Sequence, residues 1–187
     1  MDINPGEANG LGTPDLSTFP REVITLFDAH HHIVHDGYRY FQADDGVHGY
    51  ELWVSDGSKN GTKLLKDINS EGPSYPSFFT VLDGKIYFTA DDGDSGFELW
   101  CHDPVSAQTY TAADVNTWSA GSVPLWLTPM NGKLYFSAND GVDNRELFVY
   151  DPATQAFQPV GEINPTGSSY PGYVSMRNQP DGNMSEY

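Results

Sequence analysis

Three acidic turns of similar sequence have the chemistry to bind a hard cation. Each places carboxylates around a tight glycine turn, and a glutamate follows each turn. Calcium takes about six to eight oxygen ligands, often from such loops. The candidate calcium ligands are Asp44, Asp45, Glu51, Asp91, Asp92, Asp94, Glu98, Asp140, Asp143 and Glu146.

Turn chemistry is the competing interpretation of these acids. Asp before Gly is typical of a hairpin turn, where the carboxylate caps nearby backbone N–H groups. The recurrent glutamates would then form cross-strand ion pairs with Arg39, Lys85 or Lys133. The turns also lack the ligand spacing of an EF-hand, so both interpretations stay open at this point.

Four histidines form a second group with metal-binding chemistry. The run "DAHHHIVHDG" at residues 28–37 supplies His30, His31, His32 and His35. Imidazole nitrogens suit zinc and copper. Alternate residues of a strand point to opposite faces, however, and no second ligand set accompanies the run. The pattern therefore favours a structural role.

Enzyme signatures are absent from the sequence. It contains no GxSxG, HExxH, GxxxxGK[ST] or GxGxxG motif. Each carboxylate pair recurs with the turns, which favours a structural origin. We therefore predict no catalytic residues and no enzymatic activity, with a glycosidase-type hydrolase as the minor alternative.

The acidic turns belong to an internal repeat. "DGYRYF" at 36, "DGKIYF" at 83 and "NGKLYF" at 131 lie 47 and 48 residues apart, as do Glu51, Glu98 and Glu146. "DIN", "DVN" and "EIN" then precede "SYPS", "SVPL" and "SYPG". A fixed period of this length is typical of solenoids, propellers or arrays.

Each repeat contains four short strands. In the second unit these are "PSFFTVL", "KIYFTA", "FELWCH" and a last strand before "DVN", with Asp-Gly reversals and period-2 alternation. Four strands in about 45 residues predict an all-β chain of β-propeller-type blades, with almost no helix. A β-sandwich is the alternative, but it does not explain why the units are copies.

Three full units and two partial units are predicted. Residues 1–19 are the end of a preceding repeat with a connecting loop, 20–69 the first blade with the histidine insertion, 70–116 the second, 117–164 the third, and 165–187 the first strand of a further blade with a tail. The partial units suggest a fragment of a longer array, ordinary ring closure, or pairing between chains through exposed strand edges.

Recurrent aromatic residues are predicted to pack between the blades. Large flat side chains bury much area in such interfaces. Sugar stacking is the alternative for any that are exposed, and Tyr75 and Tyr170 in the "SYP" turns are the best candidates for that role. The residues in register are Trp53, Trp100, Phe148, Tyr40, Tyr87 and Tyr135.

Composition and charge restrict the partners. The net charge is −17 with nine Lys and Arg, so a phosphate backbone or an anionic membrane face is an unsuitable partner. No apolar run approaches the roughly 20 residues of a membrane span, so no membrane insertion is expected. The single cysteine, Cys101, forms no internal disulfide. No signal peptide is visible at the start of the sequence.

The stretch "GYELWVSDGSKNGTKLLKDIN" at residues 49–69 resembles the repeat of ELWxxDGT-repeat proteins, which are long bacterial surface or secreted proteins with propeller-like tandem units. The likeness weakens along the chain, and "ELFVYDPATQAF" in the third unit resembles a kelch-type strand and turn. The resemblance implies export to the cell surface or medium and a scaffold or binding role. It implies no catalytic residues.

The resulting prediction is a non-enzymatic extracellular structural or adhesive module that assembles with itself through incomplete blades. Its partners would be copies of itself, a longer parent array or cell-surface glycans. The alternative is a lectin-like or calcium-supported propeller, with calcium as the only candidate cofactor.

Overall fold

The computed structural model describes residues 31–117, 120–141, 145–161 and 163–172. These residues form twelve β-strands and no helix, which confirms the all-β prediction. Within the same ranges, no helix is long and apolar enough to cross a membrane. The predicted partial unit at 1–19 and residues 173–187 of the other one lie outside the described residues.

The strands form three antiparallel sheets, each in simple sequence order. The first sheet contains β1 (His32–His35), β2 (Tyr38–Asp44), β3 (Tyr50–Ser55) and β4 (Lys63–Lys66). The second contains β5 (Ser77–Leu82), β6 (Lys85–Asp91), β7 (Phe97–Asp103) and β8 (Gln108–Ala113). The third contains β9 (Leu125–Met130), β10 (Lys133–Asn139), β11 (Arg145–Asp151) and β12 (Ala156–Pro159). Four strands per repeat are thus confirmed.

The first hairpin of every sheet reverses at a two-residue turn. Both turn residues have positive φ, as a type I′ turn requires, and Asp-Gly or Asn-Gly fits this geometry at low cost. The φ angles are 48° and 81° at Asp36 and Gly37, 50° and 74° at Asp83 and Gly84, and 53° and 72° at Asn131 and Gly132. The repeated turn dipeptides therefore fix the hairpin register three times.

The sheets pack face to face in chain order. We call the face toward the preceding sheet the front face and the face toward the following sheet the rear face. The first interface joins Tyr40, Leu52 and Val54 on the rear face of the first sheet, with Ile68 from the loop after β4, to front-face residues of the second sheet, Ile86, Phe88, Ala90 and Trp100. The second interface joins Leu82, Tyr87, Leu99 and Cys101 to Leu134, Phe136, Ala138, Phe148 and Tyr150.

The first strands of the sheets lie next to one another. Strand β5 contacts both β1 and β9, while the last strands β4, β8 and β12 lie at the opposite edge of each sheet. The sheets therefore pack face to face with their first strands together at one inner edge, as in a β-propeller-like repeat. In the described ranges the sheets do not close into a ring.

Candidate functional site

A buried glutamate joins the first sheet to the segment that leads into the second. Glu51, on β3, is fully buried. Its Oε2 accepts hydrogen bonds from the backbone N–H of Ile68 at 2.8 Å and from the hydroxyl of Ser74 at 2.6 Å, while Oε1 accepts the backbone N–H of Ser74 at 2.9 Å. One carboxylate therefore satisfies donors from both ends of the connecting loop.

The other two repeats form the same arrangement, which we call the glutamate–serine link. Glu98 accepts bonds from the backbone N–H of Val115 at 3.0 Å, the backbone N–H of Ser122 at 2.6 Å and the Ser122 hydroxyl. Glu146 accepts bonds from the backbone N–H of Ile163 at 3.4 Å, the backbone N–H of Ser169 at 3.1 Å and the Ser169 hydroxyl at 2.6 Å. The recurrent glutamate thus has a structural function in every sheet.

Burial changes the acidity of two of these glutamates. Loss of solvation raises the pKa of Glu51 from 4.5 to about 7, against the lowering effect of the bonds from Ser74 and Ile68. The pKa of Glu98 rises to about 7 for the same reason, against the bonds from Ser122 and Val115. The serine hydroxyl can donate to a carboxylate or accept from a carboxylic acid, so it suits both protonation states.

The cross-strand ion pairs predicted for these glutamates were wrong. Lys85 pairs with Asp103 at 3.1 Å, and Lys133 pairs with Asp151 at 3.0 Å. The guanidinium of Arg39 lies over the Phe41 ring, 5.5 Å from its centroid. The glutamates face inward, where backbone donors need acceptors, while the cations stay at the surface.

The hairpin aspartates cap the turns. Asp44 and Asp91 accept the backbone N–H of Gly46 and Gly93, both at 2.7 Å. Asp45 accepts Val47 N–H at 3.0 Å and His48 N–H at 2.9 Å, and Asp92 accepts Asp94 N–H at 3.0 Å and Ser95 N–H at 2.8 Å. These bonds are the turn chemistry that the sequence offered as the alternative to calcium.

The predicted calcium ligands do not converge in the described residues. The three glutamates are buried, Asp94 and Asp140 are exposed on separate turns, and Asp143 lies outside the described residues. No group of three or more His, Cys, Asp or Glu side chains is arranged to hold a metal ion within the described ranges. Calcium binding at these turns stays a prediction.

The histidine run leads into β1, the inner-edge strand of the first sheet. His32 and His35 are the ends of β1, and His30 lies outside the described residues. The imidazole of His35 is 3.4 Å from the Asp36 carboxylate. Burial, with Arg39 nearby, lowers the pKa of His32. These histidines belong to no metal-binding group in the part of the chain that the structure describes.

Most of the recurrent aromatic residues are buried, as predicted. Tyr135 is half-buried, and the others expose less than a tenth of their surface, with Trp53 at 7%, Trp100 at 8%, Phe148 at 4%, Tyr40 at 4% and Tyr87 at 1%. Tyr75 stacks on Tyr50 with ring centroids 5.7 Å apart. Tyr170 is 44% exposed and remains the better candidate for an exposed aromatic surface.

A polar cleft lies beside the first glutamate–serine link. It has a volume of about 270 Å³ and is bounded by the acidic turn of the first sheet and the loop that leads to the second. Its polar lining includes His48, Asp67, Asn69 and Glu71. The buried Oδ1 of Asp67 has no hydrogen-bond partner among the described residues. The carboxylates of Asp67 and Glu71 make the lining of the cleft acidic.

The wall of the cleft is fixed by a histidine–aspartate pair. The ring Nδ1 of His48 is 2.8 Å from Asp45. This bond raises the pKa of His48. Burial alone would raise the pKa of Asp45, but bonds from His48 and Val47 hold it below its usual range. The pair orients the acidic turn against the loop of residues 69–73.

Sequence reasoning missed the serines of the glutamate–serine links. They follow their glutamates by 23, 24 and 23 residues, in the "SYP" and "SVP" segments, whose serines were assigned no role from the sequence. The nearly constant offset from each glutamate, 23 or 24 residues, was the available signal. It identifies a long-range partner only once the loop path is known.

Comparison with known proteins identifies the architecture. No protein-family model and no curated protein matches the chain. Among solved structures, a mutant of puromycin hydrolase complexed with PGG matches 79% of this chain and 23% of its own length, with TM-score 0.51 and 19% identity. The tricorn protease matches 70% of this chain and 12% of its own, with TM-score 0.46 and 17% identity. The chain thus spans less than a quarter of either protein.

The prediction of a non-enzymatic structural or adhesive module was wrong, while the extracellular location and the assembly of the chain with itself stay predictions. The protein whose fold this chain shares at TM-score 0.51 is a hydrolase. That match relates the three sheets to the fold of part of a hydrolase, and no comparison points to an adhesive assembly. At 19% identity the likeness carries the fold, not an activity.

Proposed function

We propose that this chain is a blade array of a hydrolase-related β-propeller and that it binds cationic groups of a ligand, with the reacting groups supplied elsewhere. The observation that carries the proposal is the cleft between the acidic turn of the first sheet and the loop that leads to the second, with Asp67 and Glu71 in its lining. An ammonium or guanidinium group fits such a lining, because it brings N–H donors and opposite charge.

The glutamate–serine links support the scaffold part of the proposal. Each recurrent glutamate accepts three hydrogen bonds from the connecting loop. A carboxylate engaged in this way is unsuited to attack or deprotonate a substrate. The net charge of −17 adds long-range attraction for cationic ligands. The ELWxxDGT resemblance at Glu51–Trp53 is part of the same proposal, as a variant of a propeller repeat.

The test compares two probes that differ in one charge. N-acetyl-lysine amide and N-acetyl-norleucine amide have similar length, but only the first is cationic. Calorimetric titration should detect the lysine probe alone, and Asp67→Asn should weaken its binding by at least about tenfold, since a charge-assisted hydrogen bond contributes about 1.5–3 kcal/mol. Peptidase assays on the chain by itself should show no turnover.

The matched control is Asp114→Asn. Asp114 follows β8 as Asp67 follows β4, and its Oδ1 is also buried without a hydrogen-bond partner among the described residues. It does not line the cleft, so its substitution should leave probe binding unchanged. Equal binding of the two probes, or an equal effect of the two substitutions, would disprove the assignment of the cleft. Turnover of peptides by the chain would disprove the scaffold role.

A further inference from the structure

The rear face of the second sheet is completely covered by the third sheet. Its core residues Leu82, Tyr87, Leu99 and Cys101 are 7%, 1%, 0% and 0% exposed. They contact the front face of the third sheet in one continuous hydrophobic cluster. The first sheet has a similar rear face, in which Tyr40, Leu52 and Val54 are 4%, 0% and 6% exposed.

The corresponding positions of the third sheet are open. Met130, which is equivalent to Leu82, is 49% exposed, and Ile163 at the end of the repeat is 60% exposed. Tyr135, Leu147 and Val149, which are equivalent to Tyr87, Leu99 and Cys101, are half-buried. A row of apolar side chains that forms core in the second sheet is thus a surface in the third. Exposed apolar patches of this kind mark interaction sites.

The loop that leads away from the third sheet already has the geometry of the loops that lead into a following sheet. Ser169 bonds to Glu146 as Ser74 bonds to Glu51. Asn164 donates to the carbonyl of Ser168 at 3.1 Å, as Asn69 donates to that of Pro73 at 3.4 Å. Tyr170 has φ of 49°, and its equivalents Tyr75 and Val123 have φ of 48° and 46°. The loop after the third sheet therefore has the same conformation as the loops that connect one sheet to the next.

From these observations we infer that the rear face of the third sheet is a docking surface for a fourth blade of the same repeat, joined in tandem to this chain. The fitting partner presents an aliphatic residue, Phe and Ala on its second strand and an aromatic residue on its third. The second sheet presents Ile86, Phe88, Ala90 and Trp100 in this way, and the third presents Leu134, Phe136, Ala138 and Phe148.

A second copy of the chain fits less well as the occupant. The front face that it would have to offer is that of its first sheet, with Phe41, Ala43 and Trp53. These residues are already buried, at 6%, 0% and 7% exposure. For a blade joined to the loop that ends at Gly172, the glutamate–serine link at Glu146 already sets the direction of approach.

The experiment extends the full chain by one blade and measures protection of the rear face. A copy of residues 78–116 is inserted after Gly172, which keeps the repeat register, and the copied Cys101 is replaced by Ser. Met130→Cys is introduced in the extended and the unextended chain. Because the native Cys101 is buried, the rate of thiol labelling at position 130 reports on the face. We expect labelling about tenfold slower or more in the extended chain, as for a site that reacts only on local opening.

Two controls make the result specific. Val105→Cys lies in a turn at 96% exposure, so its labelling rate should be the same in both chains. Phe88→Asp in the inserted copy alone should restore fast labelling at position 130, since it places a charge on the docking face. Equal rates at position 130 in the two chains would overturn the inference. Protection of the unextended chain that disappears on dilution would also overturn it, because it would make a second copy the occupant.

Discussion

The second and third sheets have the same strand order and closely similar sequences, yet their residues differ in burial. Along β7 every residue except the last is buried, whereas along β11 buried and half-buried residues alternate. The second sheet lies between two sheets, and the third has a described sheet on its front face only. Burial at a repeat position is therefore set by the neighbouring sheet. Equivalent leucines in the two sheets should contribute differently to the free energy of unfolding.

The largest expected effect is a contrast between two equivalent leucines. Leu99→Ala removes a fully buried side chain and should lower the free energy of unfolding by about 2–5 kcal/mol. Leu147→Ala removes a half-buried one and should cost about 1 kcal/mol, because less apolar area leaves water. Urea denaturation of both variants gives the comparison. Equal losses would mean that the rear face of the third sheet is as covered as that of the second.

The pH dependence of stability reports on the buried glutamate of the second sheet. Folding raises the pKa of Glu98 from 4.5 to about 7. Between these pH values the Glu98 side chain is ionised in the unfolded chain and protonated in the folded chain. The contribution of Glu98 to the free energy of unfolding is complete below about pH 4.5. It is lost as the pH rises to about 7, by up to about 3 kcal/mol. The Gln side chain of Glu98→Gln has similar size and does not titrate.

The measurement compares wild type and Glu98→Gln by urea denaturation at about pH 4 and about pH 8. The variant should lack the part of the stability loss that Glu98 contributes, so the difference between the two proteins should change with pH. Glu51→Gln should behave similarly, because Glu51 is buried in an equivalent link. A difference that is constant across this pH interval would show that neither glutamate titrates near neutrality in the folded chain.

Removing the hydroxyl of Ser122 should destabilise the fold more than removing that of Ser169, as for the two leucines. Ser122 is fully buried, and Ser169 is half-buried. Ser122→Ala removes a buried hydrogen-bond donor to the carboxylate of Glu98 and should lower the free energy of unfolding by about 1–3 kcal/mol. Ser169→Ala should cost less, since water can replace the hydroxyl at Glu146. Thermal unfolding of the two variants checks the order, and a larger loss for Ser169→Ala would contradict it.

Local chemistry explains what the sequence could predict. The DG and NG turns, the alternation in "KIYFTA" and the repeat period identified four strands per unit, because these features depend on neighbours along the chain. Capping by Asp44, Asp45, Asp91 and Asp92 is local in the same sense. The confirmed part of the prediction is the all-β repeat of four-stranded antiparallel sheets.

Long-range contacts explain what it could not. Glu51 was predicted to bind calcium or to form a cross-strand ion pair, whereas its partners are the backbone N–H of Ile68 and Ser74, 23 residues further on. The cleft at Asp67 depends on how the loop after β4 passes the turn after β2. The class of protein was also misjudged, since a repeat indicates architecture and does not by itself indicate function.

The smallest expected effect concerns two equivalent surface ion pairs, Lys85 with Asp103 and Lys133 with Asp151. In each pair the bond from lysine holds the pKa of the aspartate below its usual range. Lys85 and Asp103 side chains are 35% and 17% exposed, against 45% and 26% for Lys133 and Asp151. Water screens the more exposed pair more strongly. Asp103→Asn should therefore lower the melting temperature slightly more than Asp151→Asn. Both effects should vanish in about 1 M salt, where the Debye length falls to about 3 Å. A difference that survives high salt would indicate that packing around the second sheet, rather than charge, separates the two positions.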